Sequence, residues 1–287
     1  MNYSIEKLPA QEFPVGLREI PEPPKTLYYR GRLPDRSLTL LSIVGSRNYT
    51  SYGKQVVDEL VGGLAGYEVG IISGLALGID SLAHESALRH NLYTLAIPGS
   101  GLEDSVMYPA THKNLAYKIL EAGGGLLSEF EPTFKATKWS FPMRNRLIAG
   151  ISKATLLIEA AEKSGTLITA RLATDYNREL LVVPGSIFSK NSVGVHQFMK
   201  LGATPITMSE DILDCLRIDI KSIERAQPKP TLSTTESLIL SLLPEPTHRD
   251  ELIRKTKLGT QEASQLLMMM ELNGYIKSDN NIYRSTL

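Results

Sequence analysis

Only one cysteine, Cys215, occurs in the 287 residues. A lone thiol excludes an intrachain disulfide framework and a cysteine-rich metal site, and it suits a reducing compartment. Net charge is missing too, with 31 Lys and Arg against 31 Asp and Glu. A field that attracts nucleic acid over the whole surface is thereby excluded, so any such contact has to come from a local patch. No apolar run reaches the about 18 residues that a membrane-spanning helix needs. The N-terminal "MNYSIEKLPAQEF" lacks the apolar stretch of a secretion signal. The expectation is a soluble, cytoplasmic protein with no membrane span. The length allows a sizeable core and one or two domains.

What is present is a repeated theme. Short apolar runs end in Gly or Ser and are followed by segments with helical spacing. The runs are "TLLSIVGS" (39–46), "VGIISG" (69–74), "TLAIPGS" (94–100), "GGLLSEF" (124–130), "ATLLIEA" (154–160), "ELLVVPGS" (179–186) and a weaker "ATPITM" (203–208). Runs of Ile, Leu and Val without alternation are the pattern of strands buried on both faces. Strand alternating with helix predicts an α/β fold with a mostly parallel, doubly wound, Rossmann-like sheet over residues 37–217. Residues 1–36 are proline-rich and read as an irregular lead-in, with a short strand near Leu27–Arg30. Residues 218–231 read as a linker. Residues 232–287 hold three helical patterns and "YIKSDNNIYRS", a hairpin with an Asp-Asn-Asn turn, which together predict a small winged-helix domain.

In open α/β sheets ligands sit at the carboxyl ends of the strands, so the Gly-rich turns there are candidate sites. "VGSRNYTSYG" (44–53) supplies Gly45, Arg47 and the amides of a following helix start, a place for a phosphate. "SGLALGIDSLAH" (73–84) supplies Gly74, and "EKSGTLITA" (162–170) supplies Lys163 and Ser164. The stretch "KATKWSFPMRNRLIAGISK" (135–153) carries Lys135, Lys138, Arg144, Arg146 and Lys153 and no acid, with Trp139 and Phe141 interleaved. Cations that hold phosphates beside aromatic faces that stack on bases fit a single-strand site. A solvated basic loop anchored by aromatics, with Pro142 setting a helix start, fits the composition equally. Asn145 lies between the two arginines.

Asp80 and His84 stand at i and i+4, the spacing of an acid–base or metal pair, but no third ligand is near in sequence. A helix-start carboxylate and a packed histidine are the better reading. Met268, Met269 and Met270 read as core of the last helix. Residues 232–287 hold six basic against seven acidic residues, and their presumed recognition helix has no Lys or Arg. A duplex-reading helix carries basic phosphate contacts, so this winged helix reads as a protein-contact or accessory module.

Taken in order, "IVGSR", "IISGLALGIDSLAH", "AIPGSGLEDSVMYPATHKNLAYKI", "LLSEFEP", "FPMRNRLIAGIS", "EAAEKSGTLITARLA", "VVPGSI" and "NSVGVHQFMKLGA" resemble the DNA-processing protein A (DprA/Smf) family. The resemblance covers about 40–215, and the tail resembles the winged helix of many members. It implies an extended Rossmann fold that binds single-stranded DNA, protects incoming strands and loads RecA onto them in natural transformation. It implies a homodimer, no enzymatic activity and no cofactor or metal. By position, the implied DNA pocket falls on Arg47, Lys138, Phe141 and Lys163, with Gly45, Gly74, Arg144, Asn145 and Ser164 beside them. His196, Phe198 and Met199 fall in the region implicated in self-association and RecA contact. About 36 irregular residues stand where many members carry a helical domain, and "PGSGLEDSVMYP" is longer than the usual spacing. The alternative is a nucleoside-monophosphate phosphoribohydrolase, but Thr169 stands where those enzymes carry their catalytic Glu, and a hydroxyl cannot stabilise an oxocarbenium-like centre as a carboxylate does.

Overall fold

The computed structural model describes residues 3–220, 233–256, 258–279 and 281–286. The chain forms two compact units, Met1–Ile220 and Lys221–Leu287. Residues 221–231, most of the expected linker, lie outside the described residues.

The first unit runs β1 (Ile5–Leu8), α1 (Val15–Arg18), β2 (Leu27–Gly31), β3 (Thr39–Val44), α2 (Ser51–Gly62), β4 (Val69–Ser73), α3 (Ile79–Arg89), β5 (Tyr93–Ala96), α4 (Lys113–Glu121), β6 (Gly125–Ser128), α5 (Ser140–Ile151), β7 (Ala154–Leu157), α6 (Thr166–Asp175), β8 (Glu179–Val182), α7 (Val193–Lys200), β9 (Thr204–Pro205) and α8 (Ser209–Leu216). Each of the seven predicted apolar runs contains one strand from β3 to β9. The sheet order is β1-β2-β6-β5-β4-β3-β7-β8-β9. The strands from β6 to β9 in that order pair in parallel, while β1 and β2 are antiparallel additions at the β6 edge. The chain builds outward from β3 in one direction through β4, β5 and β6, then returns to β7 on the other side. The switch point therefore lies between the carboxyl ends of β3 and β7.

Both sheet faces are covered. On one face Leu41, Ile43, Ile71 and Leu156 meet Val57, Leu60 and Val61 of α2, Ile79 and Ala83 of α3, and Ile212 and Leu213 of α8. On the other, Val44, Ile72, Leu157 and Val182 meet Leu147 and Ile148 of α5, Leu167 of α6 and Val195 of α7. Adjacent strand residues feed opposite cores, which is why these strands carry no polar alternation. Ser42 is a polar exception inside β3. Its hydroxyl donates to the Ile148 carbonyl at 2.7 Å and lies 2.7 Å from Ser152 Oγ, and these contacts pin α5 to the central strand.

The lead-in departs from expectation. Residues before 37 are not an irregular tail but part of the main sheet, since β1 pairs with β2 and β2 with β6, and Leu8, Phe13, Leu17 and Leu27 enter its core. The prolines punctuate these short elements rather than preventing them, because edge strands and turn positions tolerate a missing amide.

The second unit contains α9 (Thr234–Ser241), β10 (Thr247–His248), α10 (Arg249–Thr256), α11 (Thr260–Leu272), β11 (Ile276–Asp279) and β12 (Ile282–Ser285), with an antiparallel sheet in the order β10-β12-β11. Ser233 and Glu236 form a reciprocal capping box at the start of α9. Three helices and a hairpin give the winged helix that the sequence predicts, and β10 adds a third strand. The methionine reading needs correction. Met270 is fully buried, but Met268 and Met269 are exposed. Consecutive helical residues point about 100° apart, so three in a row cannot share one buried face. Among the described residues no helix is long and apolar enough to cross a membrane.

His84 is fully buried in α3, with Nδ1 2.7 Å from Thr94 Oγ1, and does not pair with Asp80. Among the described residues no cluster suited to a metal ion occurs. Burial, helped by the charges of His112 and Arg144, pushes the imidazole down to about 3. The unfolded chain takes up a proton below about 6.5 while the folded state stays neutral. Stability is thus fully present above that pH and is lost as pH falls from about 6.5 toward 3, by about 1.4 kcal/mol per pH unit for this one group. Urea unfolding across this range should show that slope, and His84→Leu should lack this share of it.

Candidate functional site

Five loops at the carboxyl edge of the sheet are tied to one another, those after β3 and β4 by Ile79 N, which donates to the Ser46 carbonyl at 3.1 Å. The His112 ring nitrogen Nδ1 lies 2.8 Å from the Leu75 carbonyl, which joins the loop after β5 to the loop after β4. Gly101 N donates to Phe134 O at 2.8 Å and Glu103 N to Pro132 O at 3.0 Å, joining the loops after β5 and β6. Arg30 of β2 donates to Asp104 at 2.6 Å, while Tyr117 also reaches that carboxylate, which anchors the outer side of the same loop. The longer "PGSGLEDSVMYP" segment is thus held at both ends. Past the switch point, Thr166 Oγ1 donates to the Gly45 carbonyl at 3.0 Å and locks the "EKSGT" turn to the turn after β3.

At the centre is Arg144 of α5. It is buried, and its Nη1 donates to the carbonyls of Gly74, at 2.5 Å, and Ile97. Asp80, also buried, accepts from Gly74 N at 3.1 Å and is electrostatically coupled to Arg144. Burial lowers the guanidinium to about 10, against the pull of Asp80, so it stays charged at neutral pH. Burial raises the Asp80 carboxyl, opposed first by Arg144 and then by the amides of Ala76 and Gly74. Arg146 is buried in an ion pair with Glu129. Of the two arginines, Arg144 lines the pocket from below and Arg146 does not line it; both brace loops.

Two expected contact glycines also belong to this frame. A Cβ on Gly74 would stand 1.9 Å from Arg144 Nη1, and one on Gly45 would stand 2.6 Å from Ile79 Cγ1. Both are glycine so that the protein can pack, with no need to invoke a ligand. Ser164 is spent locally, donating to Thr166 Oγ1 at 3.0 Å and accepting from Thr166 N at 3.2 Å.

The remaining predicted residues face outward. Arg47, Lys138 and Lys163 are exposed, and none joins an ion pair among the described residues. The Arg47 guanidinium stands 5.6 Å from the centre of the Phe141 ring. Arg47, Leu77, Tyr108, Phe141 and Arg144 line one pocket with Gly74. Asn145 is half-buried on α5 and does not line it. Tyr108 is the residue that sequence reasoning missed. Its ring is exposed and lies 5.4 Å from that of Phe141, tilted by 51°. The signal was the tyrosine of "MYP" at the end of the long turn, and it lacked a neighbour in sequence to give it meaning.

The start of α2 is not available to a phosphate. Glu159, buried at the end of β7, accepts from Thr50 N at 2.9 Å and Thr50 Oγ1 at 2.6 Å. A Cβ on Gly53 would meet its carboxylate at 2.6 Å. The helix start after the first parallel strand binds phosphate in dinucleotide folds. Here the chain's own carboxylate takes the amide and hydroxyl of the capping Thr50 and repels a second anion, while Gly53 N donates to Thr50 Oγ1. Thr169, where the rival enzyme class has its Glu, is buried in α6.

The expected contact set on α7 is only partly at the surface. Phe198 is buried in the core and Met199 packs against it. His196 is half-buried, with Nε2 3.0 Å from the Gly185 carbonyl. These side chains face inward because α7 covers the sheet with that stripe. The exposed apolar residues flanking them are Ile187, Phe188, Val193 and Leu201, with Phe188 90% and Leu201 80% exposed.

Removing Arg144 leaves a buried carboxylate and two carbonyls without their cation. Arg144→Met should therefore destabilise the fold by about 3–5 kcal/mol in urea unfolding, whereas Arg47→Ala should stay within about 0.5 kcal/mol.

The comparisons agree with this geometry. Residues 6–217 match the family of the DNA recombination-mediator protein A, and residues 224–280 match the DprA winged helix domain. Protein Smf of Escherichia coli is 33% identical over 283 residues, 96% of this chain and 75% of the relative. The DNA processing protein DprA of Bacillus subtilis is 37% identical over 211 residues, 71% of this chain and 68% of the relative. DprA of Streptococcus pneumoniae superposes with a TM-score of 0.68 at 35% identity, covering 73% of this chain and 74% of that one. DprA of Helicobacter pylori, a structure described for its single-stranded DNA binding mode, superposes with a TM-score of 0.66 at 30% identity, covering 75% and 97%. The two family matches and these relatives make the chain a member of the DprA/Smf family of DNA-processing proteins.

Proposed function

We propose that the protein binds single-stranded DNA without sequence preference at the carboxyl edge of its sheet, protects the strand and delivers it to RecA. The carrying observation is Arg47 standing over the Phe141 ring in one pocket of a protein of zero net charge, with Lys138 and Lys163 exposed in neighbouring loops and outside any ion pair among the described residues. Arg47 now stands against the Phe141 ring. A cation–π contact at an exposed site is worth about 0.5–1 kcal/mol, less than the roughly 1–3 kcal/mol of a base stacked on an aromatic ring. A base can therefore take the ring while Arg47 moves to the adjacent phosphate. The recombination-mediator family supports delivery to RecA. Binding rather than catalysis is the reading, because Glu159 is committed to α2 and Thr169 is buried.

Fluorescence anisotropy with labelled single-stranded and duplex oligonucleotides over a salt series tests this. Affinity for the single strand should fall with a log–log slope of about −0.7 per phosphate neutralised. Arg47→Ala and Lys138→Ala should each reduce that slope by about 0.7, and Phe141→Ala should weaken binding by about fivefold or more. Equal affinity for duplex, or no loss in all three variants, sinks the reading.

Self-association is part of the same proposal, since a dimer joins two grooves and gains avidity. Its support is the exposed apolar set Ile187, Phe188, Val193 and Leu201 around α7, rather than the inward-facing Phe198. Light scattering should give twice the chain mass for the native protein and a monomer for Phe188→Ser combined with Leu201→Ser. A monomeric native protein overturns this part.

A further inference from the structure

Trp139 is the sole tryptophan of the chain and is 55% exposed. Isolated exposed apolar side chains are ordinary, but this one is held firmly. Its ring stands edge-on to Phe130 at 5.7 Å and 76°, and to Phe134 at 5.5 Å and 62°. Those two rings are themselves stacked at 4.6 Å and 17°. The backbone beneath is pinned as well. Ser140 Oγ donates to the Gly99 carbonyl at 2.6 Å and accepts from Thr137 N at 3.0 Å. Three aromatics thus build a rigid mount whose outermost ring has no partner for its outer surface.

The charges along its own segment have one sign, while Glu131 lies in the loop that carries Phe130 and Phe134. Lys135 and Lys138 are exposed, neither joins an ion pair among the described residues, and residues 135–153 contain no acid. Phe141, in the candidate pocket, is two positions further on. An apolar plane flanked by free cations matches a chain with one anionic group per flat base. It does not match an apolar protein partner, which would leave both lysines desolvated without compensation.

We infer that Trp139 is a second base-stacking platform, which takes a base of the strand beyond the Phe141 pocket while Lys135 and Lys138 hold the intervening phosphates. This rests on the single-strand reading above and adds the path by which the strand leaves the pocket. The platform reads no base edge, so the site accepts any base, pyrimidines included.

The test uses the full chain and an oligo-dT of about 15 nucleotides, within the range of single-strand site sizes. Binding is read by anisotropy of a label on the DNA, and Trp139 by its own emission. Bound DNA should quench that emission and shield it from acrylamide. Trp139→Ala should weaken binding by about fivefold or more, and Trp139→Tyr should stay within about twofold of native. Thermal unfolding of each variant separates loss of stacking from loss of fold. If native protein binds the oligonucleotide while Trp139 emission and acrylamide access stay unchanged and Trp139→Ala binds within twofold, the platform is overturned and the single-strand reading survives. If the native protein does not bind at all, both fail.

Discussion

A buried guanidinium organises the carboxyl edge of this sheet. Arg144 lies buried beneath the pocket and bridges the carbonyls of Gly74 and Ile97, at the ends of two neighbouring strands. Such a cation has no stable place in a core unless its charge is answered. Asp80 answers it, and also holds the Gly74 amide. Helix, strands and loops are therefore fixed by one charge pair and its hydrogen bonds. Loops and helix in turn carry the groups that line the pocket, including the half-buried Phe141, three residues before Arg144 on α5. The contact layer is rigid because the layer below it cannot shift without exposing an uncompensated charge.

The same logic divides a single charged motif into two layers. In "FPMRNRLIAG" both arginines are buried, while the half-buried aromatic lines the pocket. Exposed positive charge comes instead from other segments, from Arg47 after β3, Lys138 before α5 and Lys163 after β7. A neutral total is compatible with this, because only one edge of the sheet needs unpaired cations. Glu159 adds a constraint of the opposite sign. By occupying the start of α2 it closes the phosphate position that this fold gives to nucleotides, and leaves anions the side chains further out.

Much of the fold was legible residue by residue. Unalternated apolar runs gave β3 to β9 because strands covered on both faces have no reason to be polar. The lead-in was legible only in part: its strand near Leu27–Arg30 is β2, but the pairing of β2 with β6, nearly a hundred residues away in sequence, was not, because local composition carries no information about such a partner. The methionine run misled for a related reason, since composition said apolar while helical geometry allowed only Met270 inward. On α7, composition likewise did not show that Phe198 is buried, because that face of the helix covers the sheet.

The sequence by itself determined the fold class, the edge on which a site must lie and the residue types gathered there, because periodicity and turn chemistry are local properties. Tertiary structure decided which of those residues are free. Arg144, Arg146, Gly45, Gly74 and Ser164 were indistinguishable in sequence from Arg47, Lys138 and Lys163. Burial and partners separate them, and both depend on contacts between segments far apart in the chain. Tyr108 joined the pocket for the same reason, brought to Phe141 by the tied loops that follow β4, β5 and β6.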